Sequence, residues 1–190
     1  MHGLIPKMLV DFVEGSGGPE AAAAVRSAGG FEPDEEIRMD RSIARDRWLT
    51  MLSKGLDILG VAPEEGEEAF AEFFYEDAKA RWPVWFGLAN NSRDFLEMVP
   101  TIHNSLATGT MEPGLRARAA DKFRIERVSD NEIITHYRSP NGHCGLYKAL
   151  ARKIITHFGD EGSVDHEKCR KNGDDECEIH IRWTRLGEAS

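Results

Sequence analysis

The hydrophobic period of the chain changes near Gly114, and this change limits the fold more than any single motif does. Before it, apolar residues recur at helical spacing, whereas 123–128, 132–139 and 178–183 show the near-alternation and β-branched residues of strands. The segment 145–158 returns to helical spacing. The sequence therefore predicts an α+β fold, with a helical N-terminal half packed on a C-terminal antiparallel sheet that carries one long helix.

Glycine and proline divide the first part of the helical half into four predicted helices. The glycines of 15–18 end the first helix and Pro19 opens the second, while Gly60 ends the third and Pro63 opens the fourth. We predict these helices at 1–13, 19–26, 42–59 and from 63 onward, with Ala69, Phe70, Phe73 and Phe74 on the inward face of the fourth.

A histidine lies at the edge of the apolar stripe of a further predicted helix, 95–106. Ser92 or Asp94 is placed to cap its first turn, and Pro100 predicts a kink or a restart just before His103. A histidine carried into an apolar interior can ligate iron or another metal. The alternative, which the spacing alone favours, is a core or boundary histidine that bonds to a backbone carbonyl.

Charge and composition argue against several classes of function. The chain has 190 residues and a formal net charge of −9, which argues against general binding to nucleic acids or to anionic membranes. It has no run of 18 apolar residues, and 1–13 does not resemble a signal peptide, so we expect a cytoplasmic protein. Phosphate loops, nucleophile elbows and catalytic carboxylate pairs are absent from the sequence, and we expect no enzymatic activity.

The strand predicted at 132–139 ends with two hydroxyl groups on one face, because Tyr137 and Ser139 are two residues apart. Such a pair can bind a carboxylate. A tyrosine and a serine on a solvated strand edge would give the same pattern.

The C-terminal part contains His166, Cys169, Cys177 and His180, with a polar turn between the two cysteines. Two thiolates and the imidazole of His166 could bind zinc, with Cys144 or His180 as the fourth ligand. On a regular strand His180 faces away from Cys177. Reduced thiols and a hairpin disulfide are the alternatives to zinc.

Three of these features, taken in order, resemble a known family. The opening Met-His-Gly-Leu-Ile-Pro-Lys, the helix with Phe95, Leu96 and His103, and the strand with Tyr137-x-Ser139 are similar to the heme nitric-oxide/oxygen-binding (H-NOX) domain. That domain is a gas sensor related to the heme part of soluble guanylate cyclase. The resemblance covers nearly the whole chain and implies one domain over 1–190, helical to about 112 and sheet-forming from about 113, with a heme pocket between the two parts.

The resemblance also implies roles for individual residues. His103 matches the axial ligand of the heme iron, and Tyr137 and Ser139 match residues that hold the propionates of heme b. The family's propionate-binding arginine would fall on Asn141, or on His143 if two residues are inserted, and neither can form its bidentate contact. A regular strand would turn Arg138 to the other face. The implied pocket wall comprises Ile5, Phe74, Pro113 and Leu146.

The implied pocket favours nitric oxide over oxygen. The distal tyrosine of oxygen-binding relatives would fall near Ala149, two residues from Tyr147. A pocket without a hydrogen-bond donor binds NO and CO but stabilises bound O₂ poorly. We therefore expect an NO sensor that signals to a separate protein such as a histidine kinase or a diguanylate cyclase. The alternative is a heme-free sensor of a small molecule, of redox state or of zinc, similar to the 4-vinyl-reductase class.

Overall fold

The computed structural model describes residues 2–33, 35–108 and 121–187. None of the helices in these ranges combines the length and the hydrophobicity needed to cross a lipid bilayer. In chain order, the described elements are α1 (Leu4–Ala28), α2 (Arg45–Leu59), α3 (Pro63–Arg81), α4 (Pro83–Gly87), α5 (Ser92–Glu97), α6 (Val99–Thr108), β1 (Phe123–Ser129), β2 (Glu132–Tyr137), α7 (Cys144–His157), β3 (Glu161–Lys168) and β4 (Cys177–Arg185).

The four strands form one antiparallel sheet in the order β1-β2-β4-β3. In the central pair, Ile133 lies opposite Ile181 and Tyr137 lies opposite Cys177. The predicted fold class is therefore confirmed. Strand β3 was not predicted, because this edge strand is exposed over most of its length and has no apolar alternation to reveal it.

Helix α7 belongs to both hydrophobic cores of the described chain. Its residues Leu146 and Ala149 pack into the core formed by α1, α2 and α3. Tyr147, Ala151 and Ile154 pack into the second core, which contains α5 and the inner face of the sheet. The helical half and the sheet are thus joined through opposite faces of one helix.

Several helix boundaries differ from the predictions. The first two predicted helices form one element, α1, with a kink at Gly18, where φ is 83°. Helix α2 begins at Arg45 rather than at residue 42, whereas its predicted end is confirmed by Gly60 in the left-handed conformation. The prediction that Ala69 faces inward is wrong. Ala69 is exposed, because the larger buried side chain of Phe70 decides which face of α3 turns to the core.

The helix predicted at 95–106 is divided into α5 and α6, as the proline indicated. Helix α6 starts again at Val99, so Pro100 lies in a first helical turn, where a missing backbone N–H costs little. The predicted cap is wrong. Asn91 caps α5 by accepting a hydrogen bond from the Asp94 N–H at 2.9 Å, while Ser92 is fully buried and bonds elsewhere.

A buried carboxylate holds the start of α5 against the sheet. Asp160 Oδ2 accepts hydrogen bonds from the backbone N–H of Ser92 at 2.7 Å and from its hydroxyl at 2.5 Å. The indole N–H of Trp183 on β4 donates to the same Ser92 hydroxyl at 2.8 Å. Asp160 Oδ1 also accepts from the Gly187 N–H. Three segments that are distant in sequence therefore meet at one carboxyl group.

Replacing this carboxylate should destabilise the protein. Asp160→Ala leaves two buried donors of Ser92 without an acceptor, and we expect the free energy of unfolding to fall by roughly 2–3 kcal/mol. Glu161→Ala is the matched control, because its ion pair with Arg185 is exposed and should contribute at most about 1 kcal/mol. Urea denaturation of both variants measures the difference. Equal losses would contradict the role given to Asp160.

Candidate functional site

A mostly hydrophobic cavity of about 350 Å³ lies between α7 and the helices α3 to α6. This volume is within the range of small-molecule and cofactor pockets. Ile5 and Phe74, both expected in a pocket wall, line it. Pro113 lies outside the described residues. The cavity also meets the start of β1 and the turn after β2, so both halves of the chain contribute to it.

His103 lines this cavity from α6 and is half-buried. Its ring centroid is 4.5 Å from that of Phe123, and neither ring nitrogen is hydrogen-bonded to another residue of the described ranges. Burial lowers the pKa of His103 well below its usual value, with smaller effects from Lys122 and His2. The imidazole is therefore neutral near pH 7 and has a lone pair available, which is the state that ligates metals.

Leu146 and His143 belong to a second, smaller cavity of about 230 Å³ between α1, α2, α3 and α7. Leu146, which was expected in the wall of the first cavity, lines this one instead. His143 Nε2 accepts a hydrogen bond from the indole N–H of Trp48 at 2.9 Å, and burial lowers the pKa of His143 to about 4. His143 is thus neutral and hydrogen-bonded to Trp48, and it contributes no charge to the first cavity.

Polar groups gather at one end of the first cavity, around the turn after β2. Ser139 lines this end, and its Oγ accepts a hydrogen bond from the Asn141 N–H at 3.3 Å. The condition that would turn Arg138 away, a regular strand through residue 138, is not met, because β2 ends at Tyr137 and the alternation of side chains ends with it. Arg138 lines the rim and donates to Glu176 at 2.7 Å.

Tyr137 is buried behind this polar end rather than in the cavity wall. Its ring is stacked on that of Tyr147 with centroids 6.5 Å apart. Its hydroxyl has no hydrogen-bond partner in the part of the chain that the structure describes. Burial raises the pKa of Tyr137, so the phenol is neutral and its O–H can donate.

The two tyrosines that line the cavity already have their hydroxyls hydrogen-bonded to other residues. Tyr75 shares a hydrogen bond of 2.7 Å with His157 Nδ1, and Tyr147 shares one of 2.7 Å with the hydroxyl of Thr135. Ala149, the position expected for a distal tyrosine, is buried in the first hydrophobic core. A ligand in the cavity therefore meets aromatic rings with their hydroxyls bonded to other residues.

A second cluster of chemical groups lies at the start of α7. One potential ligand atom from each of Cys144, His166, Cys169 and Cys177 lies within 4.8 Å of the others. The thiols are free, so the hairpin disulfide is not formed. His180 is not part of the cluster, because its ring bonds to Glu132 at 3.1 Å.

The cluster has the donors of a metal site. His166 Nε2 is buried and has no hydrogen-bond partner among the described residues. Cys144 Sγ is 3.8 Å from Cys169 Sγ, and burial raises the pKa of Cys144 to about 12. Three thiols and one imidazole are a ligand set that binds zinc tetrahedrally once the thiols lose their protons.

A sequence model of the haem-NO-binding family matches residues 2–166. The chain belongs to this family. No curated protein matches it. The match favours a heme-binding sensor over the 4-vinyl-reductase-like alternative.

Solved structures of H-NOX proteins share its fold. An H-NOX protein from S. oneidensis in the Fe(II)NO state has a TM-score of 0.80 and 19% identity, over 97% of this chain and 100% of that one. An oxygen-binding H-NOX domain related to soluble guanylate cyclases has a TM-score of 0.78 and 18% identity, over 97% and 96% of the two chains.

Sequence reasoning missed three polar residues that line the first cavity: His2, Arg45 and Lys122. Burial lowers the pKa of Lys122 to about 8. The only sequence signal for Lys122 is a cation placed directly before the aromatic start of β1. Arg45 gives no signal, because an exposed arginine in the first turn of a helix is common.

The bond between Tyr147 and Thr135 can be measured by a double-mutant cycle. Thr135→Val leaves the buried Tyr147 hydroxyl without its partner and should cost about 1–3 kcal/mol of stability, whereas adding Tyr147→Phe removes that unpaired hydroxyl. We expect a coupling energy of about 1 kcal/mol in urea denaturation. Additive losses would show that the hydroxyl is not engaged. Tyr75→Phe with Thr135→Val is the control pair, because these residues do not bond to each other.

Proposed function

We propose that this protein is a sensor that holds heme b in the larger cavity and binds nitric oxide and carbon monoxide. The observation that carries the proposal is the state of His103. It is a neutral imidazole on the wall of an apolar cavity, without a hydrogen bond to another described residue. A core histidine would be expected to bond to a carbonyl, whereas a metal-binding histidine keeps one nitrogen for the metal.

The residues around the cavity fit the cofactor. A bound heme would supply an iron atom that binds gas molecules, and His103 would hold that iron. Ile5, Phe74 and the cavity aromatics would contact the flat apolar ring. Ser139 at the polar end, with the unpartnered hydroxyl of Tyr137 behind it, would donate hydrogen bonds to the acidic groups of the ring. Pro113, which lies outside the described residues, is also expected to contact the ring.

Preference for NO over O₂ follows from the state of the tyrosines. Bound O₂ is polar and is stabilised by a donor beside it, whereas NO and CO depend on such a donor much less. Tyr75 and Tyr147 would have to break their bonds to His157 and Thr135 before they could donate. We therefore propose NO as the physiological ligand, with weak stabilisation of O₂.

A second candidate function concerns zinc. The grouping of Cys144, His166, Cys169 and Cys177 within 4.8 Å, together with the unpartnered Nε2 of His166, supports a structural or redox-sensitive zinc site. The raised pKa values of Cys144 and Cys177 mean that zinc must displace protons, so its binding would weaken as pH falls.

Two single substitutions should separate the two sites. In His103→Gly, we expect heme content to fall to near zero and to return when imidazole is supplied, while zinc stays near one equivalent. In His166→Ala, we expect zinc to fall below about a tenth of an equivalent and heme to stay unchanged. Absorption spectra and metal analysis of untagged, reduced protein measure both.

Each variant thus controls the other, since both remove one imidazole. An unchanged Soret band in His103→Gly would contradict the heme assignment. Zinc below a tenth of an equivalent in the unmodified protein would contradict the zinc assignment and leave the heme assignment intact.

Signalling would start from α6. His103 would tether α6 to a bound heme, and a gas ligand that weakened this hold would leave α6 free to move. The break between α5, which ends at Glu97, and α6, which starts at Val99, would let α6 move relative to α5. A partner that binds the two positions of α6 with different affinity would read the change. We propose a separate histidine kinase or diguanylate cyclase in this role, since the chain has no catalytic motif of its own.

Hydrogen exchange tests this mechanism. We expect NO to speed exchange in 99–106 of the heme-loaded protein, because the released helix opens more often, and to leave β3 and β4 unchanged. His103→Gly reconstituted with heme and imidazole is the matched control. In that variant NO should leave exchange in 99–106 unaltered, because no tether exists to be broken. Changes confined to 166–180 would contradict the mechanism and favour the cysteine cluster as the sensor.

A further inference from the structure

The larger cavity has two chemically different ends. Most of its wall is apolar or aromatic, but the turn after β2 adds Ser139 and Asn141, and two cations lie beside this turn. These cations are Arg45 from the first position of α2 and Lys122 from the residue before β1. They come from two parts of the chain that are distant in sequence.

Lys122 has no acidic partner in the described ranges, although the chain has 33 acidic and 24 basic residues. The side chain is half-buried. Its ammonium is instead 5.2 Å from the ring centroid of Phe123 and 5.6 Å from that of Tyr137. Aromatic faces stabilise a cation less than a carboxylate does, so the described residues leave this ammonium without a counter-charge.

Arg45 also has no ion pair with the described residues. Its Nε donates to the carbonyl oxygen of Pro140 at 3.1 Å, which holds the guanidinium against the turn that contains Asn141. The Nη groups are left to bind another acceptor. Asn141 is the position where the family resemblance would place an arginine. A guanidinium therefore reaches the same turn from a different element.

Arg138 differs from these two cations. It lies on the same rim, but its guanidinium donates to Glu176 at 2.7 Å, so its charge is already balanced. At the polar end, Lys122 and Arg45 are therefore the cavity-lining cations that have no carboxylate partner among the described residues.

We propose that Lys122 and Arg45 bind the two carboxylates of the cavity's ligand, and that they replace the single arginine missing at Asn141. The inference rests on the proposed function, because it assumes a flat hydrophobic ligand with acidic groups at one edge. Ser139 would add a hydroxyl donor between the two cations. An anion placed there would supply the counter-charge that the described residues do not provide.

The test uses iron-free protoporphyrin IX and its dimethyl ester. The two have the same apolar ring, but only the first carries carboxylates, and neither needs His103. Trp82 and Trp85 line the cavity, so quenching of tryptophan fluorescence in the apo-protein reports binding. We expect the unmodified protein to bind the diacid more tightly than the ester, by about tenfold for each cation.

Lys122→Met and Arg45→Met should each reduce this preference about tenfold through weaker binding of the diacid, with binding of the ester unchanged. Lys122→Arg should keep most of the preference because it keeps the charge. Lys54→Met is the matched control, since Lys54 is an exposed cation on α2 away from the cavity and should leave the preference intact. Thermal unfolding checks that the variants are folded.

The remaining outcomes separate this inference from the proposed function. If the unmodified protein binds both porphyrins equally, or if both Met variants keep the preference, the carboxylate anchor is overturned while the heme pocket stands. If only Lys122→Met lowers the preference, the role of Arg45 is overturned. If neither porphyrin binds, the pocket assignment fails and the anchor fails with it. Loss of iron binding in His103→Gly alone would leave the porphyrin preference unchanged.

Discussion

The packing of α7 between two hydrophobic cores is the interaction on which the rest of the structure depends. One face buries Leu146 and Ala149 among the N-terminal helices, and the opposite face buries Tyr147 and Ile154 against the sheet. A helix that is apolar on two faces can join two layers that would otherwise each expose a hydrophobic surface. Both cavities and the cysteine cluster lie along this helix, so its position decides the geometry of every candidate site.

The larger cavity and the cysteine cluster are neighbours through shared elements. Cys144 begins α7 one turn before the cavity residue Tyr147, and Cys177 on β4 lies opposite Tyr137 on β2. The ion pair between Arg138 and Glu176 joins the rim of the cavity to the residue before Cys177. These elements are packed and hydrogen-bonded, and packed interiors transmit small displacements rather than absorbing them. The two sites are therefore built on the same helix and strands, although different residues carry their chemistry.

In the described chain, the cations on the surface and those at the cavity differ in whether they are paired with acidic groups. Most cations on its surface face acidic partners, in keeping with the acidic composition. At the cavity, by contrast, Lys122 and Arg45 stand beside hydroxyl and amide groups, and His103 is held neutral by burial. A cavity that is apolar along its walls and cationic at one end selects flat hydrophobic molecules with acidic edges.

Local sequence patterns determined the order and type of most elements. The change of hydrophobic period near Gly114 predicted the α+β fold, Gly60 predicted the end of α2, and Pro100 predicted the restart that divides α5 from α6. These features depend on backbone conformation within a few residues, and neighbouring side chains encode it. The resemblance to the H-NOX domain likewise depended on short motifs in a fixed order.

Tertiary structure alone decided which side chains meet. Strand β3 is held by pairing with β4 rather than by its own apolar pattern, and the phase of α3 follows Phe70 rather than Ala69. Arg45 and Lys122 are 77 residues apart in the numbering of the chain, and only the fold brings them to one turn. Cys144 joins the other cysteines for the same reason. Contacts between distant residues depend on how whole elements pack, and no local pattern records that packing.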